Sequence, residues 1–251
     1  MSDYAKMAQV LTDSLKLQTG PVAVRFSDAP PKDVPAHSGA VAAGCMFWEE
    51  GSQKAFNTTV QDHENCAVGM YTHHMPMTTK TQEANLNDSL KVFGDLGYVR
   101  PEDLPLVPVL HREAKNVVYA PLAKSPLPPD AVLLFVNFAQ GLIVSEAAQQ
   151  VEGKIAPALG RPACAVIPQA VNTSQAALSL GCCGARAYLN VMTDDIALWA
   201  IPGAQLQAYV DRIEALSKAN NILNKFHSIR KKDVASGKTP TIQESLARFS
   251  S

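Results

Sequence analysis

Two short apolar runs rich in β-branched residues constrain the fold of this chain more than any other feature. NVVYAPL (116–122) and AVLLFVNF (131–138) flank AKSPLPPD (123–130), which is the most proline-dense stretch of the sequence. Short runs of this composition are typical of buried strands, where branched side chains pack well on both faces of a sheet. Because proline continues neither a central strand nor a helix, the stretch between them predicts a connection near the middle of the chain.

Helical and strand-like patterns alternate along the rest of the chain. Apolar residues at helical spacing predict helices near the N-terminus and over 85–96, and a long helix that includes Leu206 to Leu216. Composition also predicts a helix over AQGLIVSEAAQQVEG (139–153), whereas PVAVRF (21–26) and DIALWAIPG (195–203) have the pattern of strands. This interleaving favours an α/β fold, with a mixed α+β fold as the alternative, in which helices form layers on a sheet.

The two halves of the chain also resemble each other. Cys45 and Cys66 in the first half, like Cys164 and Cys182 in the second, enclose a similar tetrapeptide, AFNT (55–58) or AVNT (170–173). We therefore predict a single domain over 1–251, with two similar halves at about 17–115 and 116–217 and helical extensions at both ends. If the halves are related by a pseudo-two-fold axis, equivalent cysteines from both should approach that axis.

Composition and charge exclude several classes of protein. The chain has 251 residues, of which 22 are Lys or Arg and 23 are Asp or Glu, so no net field attracts it to nucleic acid or to an anionic membrane. It has no apolar run long enough to span a membrane and no secretory signal, which predicts a cytoplasmic protein. Thiols stay reduced there, so the five cysteines are expected to be metal ligands, reactive thiols or small buried hydrophobic residues.

The segment SLGCCGAR (179–186) and the segment NCAVG (65–69) place thiols in glycine-rich turns. Cys66 and Cys182 each precede a predicted helix start, where backbone N–H groups can hydrogen-bond to a thiolate or a sulfide. Glycine allows the backbone to approach a bulky anionic group closely. Cys183 would then be a spare ligand, a redox partner or buried filler. No nucleotide-binding glycine loop, serine elbow or zincin motif occurs.

Taken together, these segments resemble the DUF169 family (domain of unknown function 169) from about Leu17 to Leu216. The most specific matches are RPACAVIPQA (161–170) and SLGCCGARAYL with DDIALWAIPG, between Ser179 and Gly203. The resemblance implies that Cys45, Cys66, Cys164 and Cys182 are the recurring cysteines and that Cys183 is additional. Many members carry a further cysteine where this chain has Ala185. The family has no established biochemical role, so the resemblance supports the choice of cysteines and implies no particular reaction.

Other side chains could assist a centre of this kind. His63 and His73 are candidates to position a substrate or deliver a proton, and Arg186 could pair with a substrate carboxylate or with a cluster's negative charge. Arg25 and Arg161 are similar candidates. A further segment contains imidazole and thioether groups that could bind haem iron, copper or another soft metal; its residues are His63, Glu64, Cys66, Met70, His73, His74, Met75 and Met77.

The leading hypothesis is an iron–sulfur cluster, with [4Fe–4S] as the first choice, that is bound by Cys45, Cys66, Cys164 and Cys182. Such a protein would act in electron transfer or in the reduction of a small molecule, with a small-molecule substrate or a redox partner protein, and could form a homo-oligomer. One alternative is a metal-free thiol enzyme in which Cys182 attacks and Cys183 or Cys66 resolves. The other is a module that binds a tetrapyrrole, a soft metal or an apolar ligand.

Overall fold

The computed structural model describes residues 3–248, which form helices on both faces of one sheet. The helices are α1 (Asp3–Leu15), α2 (Met46–Gly51), α3 (Ala67–Thr72), α4 (Lys80–Asp95), α5 (Phe138–Glu152), α6 (Val166–Thr173), α7 (Leu206–Ala235) and α8 (Ile242–Ala247). The strands are β1 (Val22–Ser27), β2 (Phe56–Thr59), β3 (Asn116–Pro121), β4 (Ala131–Asn137), β5 (Ala158–Leu159), β6 (Ala177–Ser179) and β7 (Ile196–Pro202). The predicted layered mixed α/β architecture is confirmed.

Within residues 3–248 the sheet has seven strands in the order β2-β3-β1-β4-β7-β6-β5. All neighbouring strands are antiparallel except β5 and β6, which are parallel. The proline-rich stretch 123–130 connects β3 to β4, as predicted, and these two strands pair with opposite edges of β1. The connection therefore passes over β1, and the prolines prevent it from adding another strand.

Side chains on each strand alternate between two cores. On β4, Ala131, Leu133 and Phe135 point into one core, whereas Val132 and Leu134 point into the other. Helices α1, α5 and α7 cover the second core, and α2, α3 and α6 cover the first. Both faces of the central strands are thus buried, which explains their continuous apolar composition. Cys45 and Cys164 belong to the core beneath α2, α3 and α6.

The tetrapeptides that suggested two similar halves do not occupy equivalent elements. AFNT contributes Phe56–Thr58 to strand β2, whereas AVNT forms the last turn of helix α6, which ends at Thr173. A boundary between residues 115 and 116 would also separate β3 from β1 and β2, with which it pairs. Strands β1 and β2 both pair with β3, so these three strands form one unit that ends at Pro121. Descent of the two halves from a common ancestor stays a prediction.

Helix α7 is the longest in the described part of the chain, and it combines a buried apolar face with many polar and charged residues. Within residues 3–248, no helix combines the length and the apolar character that are needed to cross a bilayer. The C-terminal end of α7 is tied to the segment after it, because Asp233 accepts a hydrogen bond from Arg248 at 2.6 Å. The predicted helical C-terminal extension therefore consists of α7 and α8.

Candidate functional site

Four cysteines from distant parts of the chain occupy the starts of helical segments on one face of the sheet. Cys45 directly precedes α2 and Cys66 directly precedes α3. Cys164 lies in the 3-10 turn that leads into α6, and Cys182 lies two residues before a single π-helical turn at 184–188. The helix predicted after the second glycine-rich turn is therefore one π turn only.

These four cysteines, together with Cys183, line one cavity of about 320 Å³. The other side of the cavity is formed by apolar side chains of α4 and of the segment that follows it, and these are Leu86, Leu90, Phe93, Val99, Leu104 and Val107. Cys45 and Cys164 are buried, Cys66 and Cys182 are half-buried, and Cys183 is exposed. All five are free thiols. The four cysteines that were predicted to converge thus line one cavity, and their role as ligands of a common centre stays a prediction.

Backbone N–H groups surround the sulfur of Cys66. The N–H groups of Gly44 and Gly69 donate hydrogen bonds to it, and these bonds favour the thiolate form. A Cβ atom at position 69 would lie 2.6 Å from this sulfur, and one at position 44 would lie 3.4 Å from it. Glycine is therefore required at residue 69 for the backbone to approach the sulfur so closely.

Despite these donors, burial raises the pKa of three of the thiols. The pKa of Cys164 is raised to about 12 by burial and then by the nearby charge of Cys66, although a hydrogen bond with Thr72 (Oγ1–Sγ 3.3 Å) opposes the shift. The pKa of Cys45 is raised well above its usual range by burial and by the charges of Cys164, Cys66 and Cys182. Burial also raises the pKa of Cys66. These thiols are protonated at neutral pH unless a bound cation compensates the charge of the thiolate.

His63 and His73 lie in the protein interior and not on the described wall of the cavity. The Nε2 atom of His63 bonds the Thr58 hydroxyl at 3.0 Å, and its Nδ1 atom would be 3.2 Å from a Cβ atom on Gly44. Burial lowers the pKa of His63 to about 3, with smaller contributions from His73 and His37, and burial lowers that of His73 to about 4. Both rings are neutral at pH 7, and neither is among the described residues that line the cavity.

Several buried polar atoms on this face have no hydrogen-bond partner among residues 3–248. They include Nδ1 of His63, both ring nitrogens of His73, Nε1 of Trp48 and the hydroxyl of Tyr119. Burial raises the pKa of Tyr119 well above its usual range, and the charges of Cys66, Cys164 and Cys45 raise it further. The Tyr119 side chain belongs to the same core as Cys45 and Cys164. Buried donors without an acceptor are rare in folded proteins.

The three candidate arginines occupy different environments. Arg186 donates to the backbone carbonyls of Leu180, Thr193 and Ile196, so its guanidinium holds the loop around Cys182 together. Most of its donors are therefore used within its own loop, and its predicted role toward a substrate or a cluster stays a prediction. Arg25 forms an ion pair with Asp130 at 2.9 Å on the sheet.

Arg161, in contrast, lines the cavity. Its guanidinium carbon lies 3.1 Å from the centre of the Tyr98 ring, and the Tyr98 hydroxyl hydrogen-bonds Cys183. Cys183 is therefore neither buried filler nor an isolated surface residue. It belongs to a group of three side chains on the cavity wall.

The methionines of the 63–77 segment belong to the hydrophobic core. Met70 and Met75 are buried and Met77 packs against the same core. The Nδ1 atom of His74 is 2.8 Å from the carbonyl oxygen of Leu110. Packing thus accounts for these residues. Glu64 is exposed and is not part of the cavity wall in the described residues.

No group of three or more His, Cys, Asp or Glu side chains in the described range is close enough to hold a single metal ion. The cysteines share a cavity without forming the compact ligand set of a mononuclear site.

The match to known families covers the part of the chain that builds this cavity. A family model described as "Uncharacterised ArCR", DUF169, matches residues 10–212. The chain belongs to the DUF169 family. All cavity-lining residues lie inside the DUF169 match, whereas α8 and the part of α7 after residue 212 lie outside it. No curated protein and no solved structure matches the chain.

The cavity wall contributed by α4 is the part that sequence reasoning missed. Leu86, Leu90 and Phe93 lie on one helical face, a pattern that predicts a helix packed on the core. They line the cavity instead, and α4 buries only the side chain of Gln82 fully. Tyr98 carried no distinguishing signal in the sequence. Its position beside Arg161 and Cys183 depends on how the segment after α4 folds over the cysteines.

Proposed function

We propose that this chain holds an iron–sulfur cluster on Cys45, Cys66, Cys164 and Cys182 and acts in electron transfer or in the reduction of a small molecule. When bound, the cluster supplies one-electron redox chemistry. The cytoplasm suits such a protein because thiols stay reduced there. A redox partner protein or a small-molecule substrate would complete the reaction.

One observation carries the proposal: cysteines from four separate segments line a single cavity. Isolated cysteines are among the most buried residues in proteins and often only fill space. Simple packing would distribute them through the cores, and it gives no reason for four of them to share one wall. In a [4Fe–4S] cluster each cysteine binds a different iron, so the ligand sulfurs are farther apart than those around a single ion.

The surroundings of the cysteines fit a group with negatively polarised sulfur atoms. Gly44 and Gly69 direct backbone N–H groups at the sulfur of Cys66, and Tyr119, whose hydroxyl has no partner among the described residues, shares a core with Cys45 and Cys164. Hydrogen bonds to cluster and ligand sulfur set the potential of such centres. Bound iron would also compensate the thiolates of Cys45 and Cys164, whose pKa values are raised in the metal-free chain.

The same pKa shifts weigh against a metal-free thiol enzyme that uses Cys66 as its resolving thiol. A reactive thiol needs a lowered pKa, and burial raises that of Cys66. The hypothesis of a pair made of Cys182 and Cys183 stays a prediction, as does haem binding. A half-buried thiol next to an exposed one is compatible with an attacking pair.

The test is metal and sulfide analysis of protein purified without oxygen. We expect iron and acid-labile sulfide in equal amounts, and a broad absorbance near about 400 nm that dithionite bleaches. Cys45→Ser, Cys66→Ser and Cys164→Ser should each lose most of the iron. Cys183→Ser is the matched control, because its thiol is exposed and the proposed ligand set does not include it.

Two results would contradict the proposal. One is a colourless protein that takes up no iron during anaerobic reconstitution. The other is an iron content that is equal in the wild type and in all three ligand variants, which would indicate nonspecific binding. A sharp Soret band would favour the tetrapyrrole-binding alternative instead.

A further inference from the structure

The cavity beside the cysteines combines an apolar wall with one unpaired cation. Among the described residues that line the cavity, Arg161 is the only Lys, Arg, Asp, Glu or His. We propose that the cavity binds an organic acid, a small molecule with an apolar body and an oxyanion group, and that Arg161 binds the oxyanion. The organic acid would be the substrate in the proposed function, and its place in a reaction therefore rests on that proposal. Binding of the acid does not require a cluster.

The hydrogen-bond donors of Arg161 are free to bind such a group. The guanidinium lies over the face of the Tyr98 ring at 3.1 Å, and stacking of this kind leaves the N–H groups at its edge available. No carboxylate or carbonyl within residues 3–248 accepts a hydrogen bond from Arg161. The pKa of Asp103 is lowered mainly by its hydrogen bond with Arg100 (Nη2–Oδ1 2.6 Å) and only to a small extent by the charge of Arg161.

A comparison with the other two arginines shows that free donors are not the rule in this protein. Arg25 is paired with Asp130, and Arg186 donates to three carbonyls. A guanidinium that faces an apolar cavity without a counter-ion attracts an anion, and its fork of N–H groups matches carboxylate or sulfonate oxygens. Arg161 is exposed, so an oxyanion can reach its guanidinium from solvent, whereas a neutral or cationic ligand would gain nothing from this charge.

The rest of the wall suits an apolar body of modest size. Leu86, Leu90 and Phe93 of α4 face the cysteines across a space of about 320 Å³, at the lower end of the range for small-molecule sites. Tyr98 connects the two parts of the site, because its ring stacks on Arg161 and its hydroxyl bonds Cys183. An oxyanion on Arg161 would thus be held beside the cysteine-lined end.

Two fluorescent probes with the same ring system separate the apolar and the anionic contributions. 8-Anilinonaphthalene-1-sulfonate carries a sulfonate, and N-phenyl-1-naphthylamine lacks it. We expect the wild type to bind the sulfonate more tightly, and Arg161→Gln to weaken sulfonate binding by about tenfold, as for a lost hydrogen bond to a charged group. The neutral probe should bind Arg161→Gln as it binds the wild type, and Arg161→Lys should restore part of the sulfonate affinity.

Two control variants locate the probe. Arg212→Gln removes an exposed arginine from α7, on the opposite side of the sheet, and should change neither affinity. Leu90→Trp fills the cavity from a half-buried position on α4 and should abolish binding of both probes. Circular dichroism checks that each variant is folded. Equal effects of Arg161→Gln and Arg212→Gln on sulfonate binding, or unchanged binding in Leu90→Trp, would overturn the inference.

Titrations of iron-free and iron-loaded protein distinguish this inference from the proposed function. Sulfonate binding that depends on Arg161, in a protein that takes up no iron, would support the binding site and contradict the cluster. Specific iron and sulfide loading without any effect of Arg161→Gln would support the cluster and overturn the organic-acid site.

Discussion

Tyr119 shows at the scale of one residue how this site departs from an ordinary core. Its side chain is fully buried on β3, and its hydroxyl has no partner in the described part of the chain. Leaving a buried hydroxyl unpaired costs roughly 1–3 kcal/mol. Phenylalanine would fill nearly the same space without this cost. If the proposed cluster is bound, we expect it to supply an acceptor for this hydroxyl.

Tyr119→Phe should consequently have opposite effects in the two forms of the protein. In the metal-free chain we expect its free energy of unfolding in urea to be unchanged or about 1 kcal/mol higher, because an unpaired group is removed. In the iron-loaded protein we expect a lower midpoint potential, because the variant loses a donor to sulfur that stabilises the reduced state. Urea unfolding and a redox titration measure the two quantities.

Tyr209→Phe is the matched control for this prediction. Tyr209 lies on α7, on the other face of the sheet, and its hydroxyl donates to Glu152. Its removal should destabilise the metal-free chain by about 1–3 kcal/mol and leave the potential unchanged. If Tyr119→Phe instead destabilises the chain as Tyr209→Phe does and does not change the potential, the hydroxyl has a structural role only.

At the scale of elements, α4 and α5 are helices of similar length with different anchoring. α5 buries Ile143, Val144, Ala147 and Ala148 in the core, whereas α4 buries only Gln82 and leaves Val92 53% exposed. The capping box of Thr79 and Gln82 fixes the start of α4. The remainder of α4 packs mainly on α3 and faces the cavity.

We therefore expect amide hydrogen exchange to be much faster in α4 than in α5, because local opening of α4 exposes little buried surface. Binding of the naphthalene sulfonate should slow exchange in α4, since the ligand fills the space that Leu90 and Phe93 face. Exchange in α5 should not change on binding. Mass spectrometry of both helices makes the comparison, and equally slow exchange in α4 and α5 without ligand would contradict it.

At the scale of the whole molecule, the two faces of the sheet differ in chemistry. The core beneath α1, α5 and α7 is built almost entirely from aliphatic and aromatic residues. The core beneath α2, α3 and α6 contains Cys45 and Cys164 and adjoins His63 and His73. Groups that must stay neutral in the folded state are thus concentrated on one side, and that side determines how the stability of the molecule responds to acid.

The sign of that response follows from the histidines. Burial lowers the pKa of His73 to about 4, so below about pH 6.5 the unfolded chain binds a proton that the folded chain does not. The free energy of unfolding of the metal-free protein should therefore fall as the pH falls from 6.5 to 4, by about 2 kcal/mol per buried histidine at pH 5. His63 adds a similar loss that continues to about pH 3.

Urea unfolding at pH 7.5 and pH 5 checks this prediction. His73→Leu should lose less stability than the wild type between these two pH values. His227→Gln, which changes an exposed histidine on α7, should behave like the wild type. An equal loss in His73→Leu and in the wild type would show that another group controls the response to acid.

Much of the fold could be predicted because the signals for it are local. The strand runs at 116–121 and 131–137, the helix stop before β1 and the apolar face of α7 depend on periodicity, proline and glycine over a few residues. The cysteines in glycine-rich turns were recognisable in the same way for Gly69, which lies three residues after Cys66, whereas the approach of Gly44 to the same sulfur depends on a contact between distant segments.

Other features depended on contacts between residues far apart in the chain. The sequence favoured Arg186 over Arg25 and Arg161, yet Arg161 faces the cavity, whereas Arg25 is bound by a carboxylate and Arg186 by carbonyls. The similar AFNT and AVNT segments became a strand and a helix, because β2 pairs with β3 whereas α6 packs over β7. A short segment adopts the structure that its distant neighbours stabilise. Such tertiary contacts outweigh the local preference most easily in segments of only a few residues.

Local patterns in the chain were sufficient to predict the alternation of helices and strands, the burial of both faces of the central strands and which cysteines lie in tight turns. That those cysteines share one cavity, that α4 covers it and that Arg161 is its unpaired cation depend on packing between distant segments. The difference lies in the distance along the chain over which each signal acts. Periodicity and turn chemistry act over a few residues, whereas the order β2-β3-β1-β4-β7-β6-β5 determines which distant side chains meet.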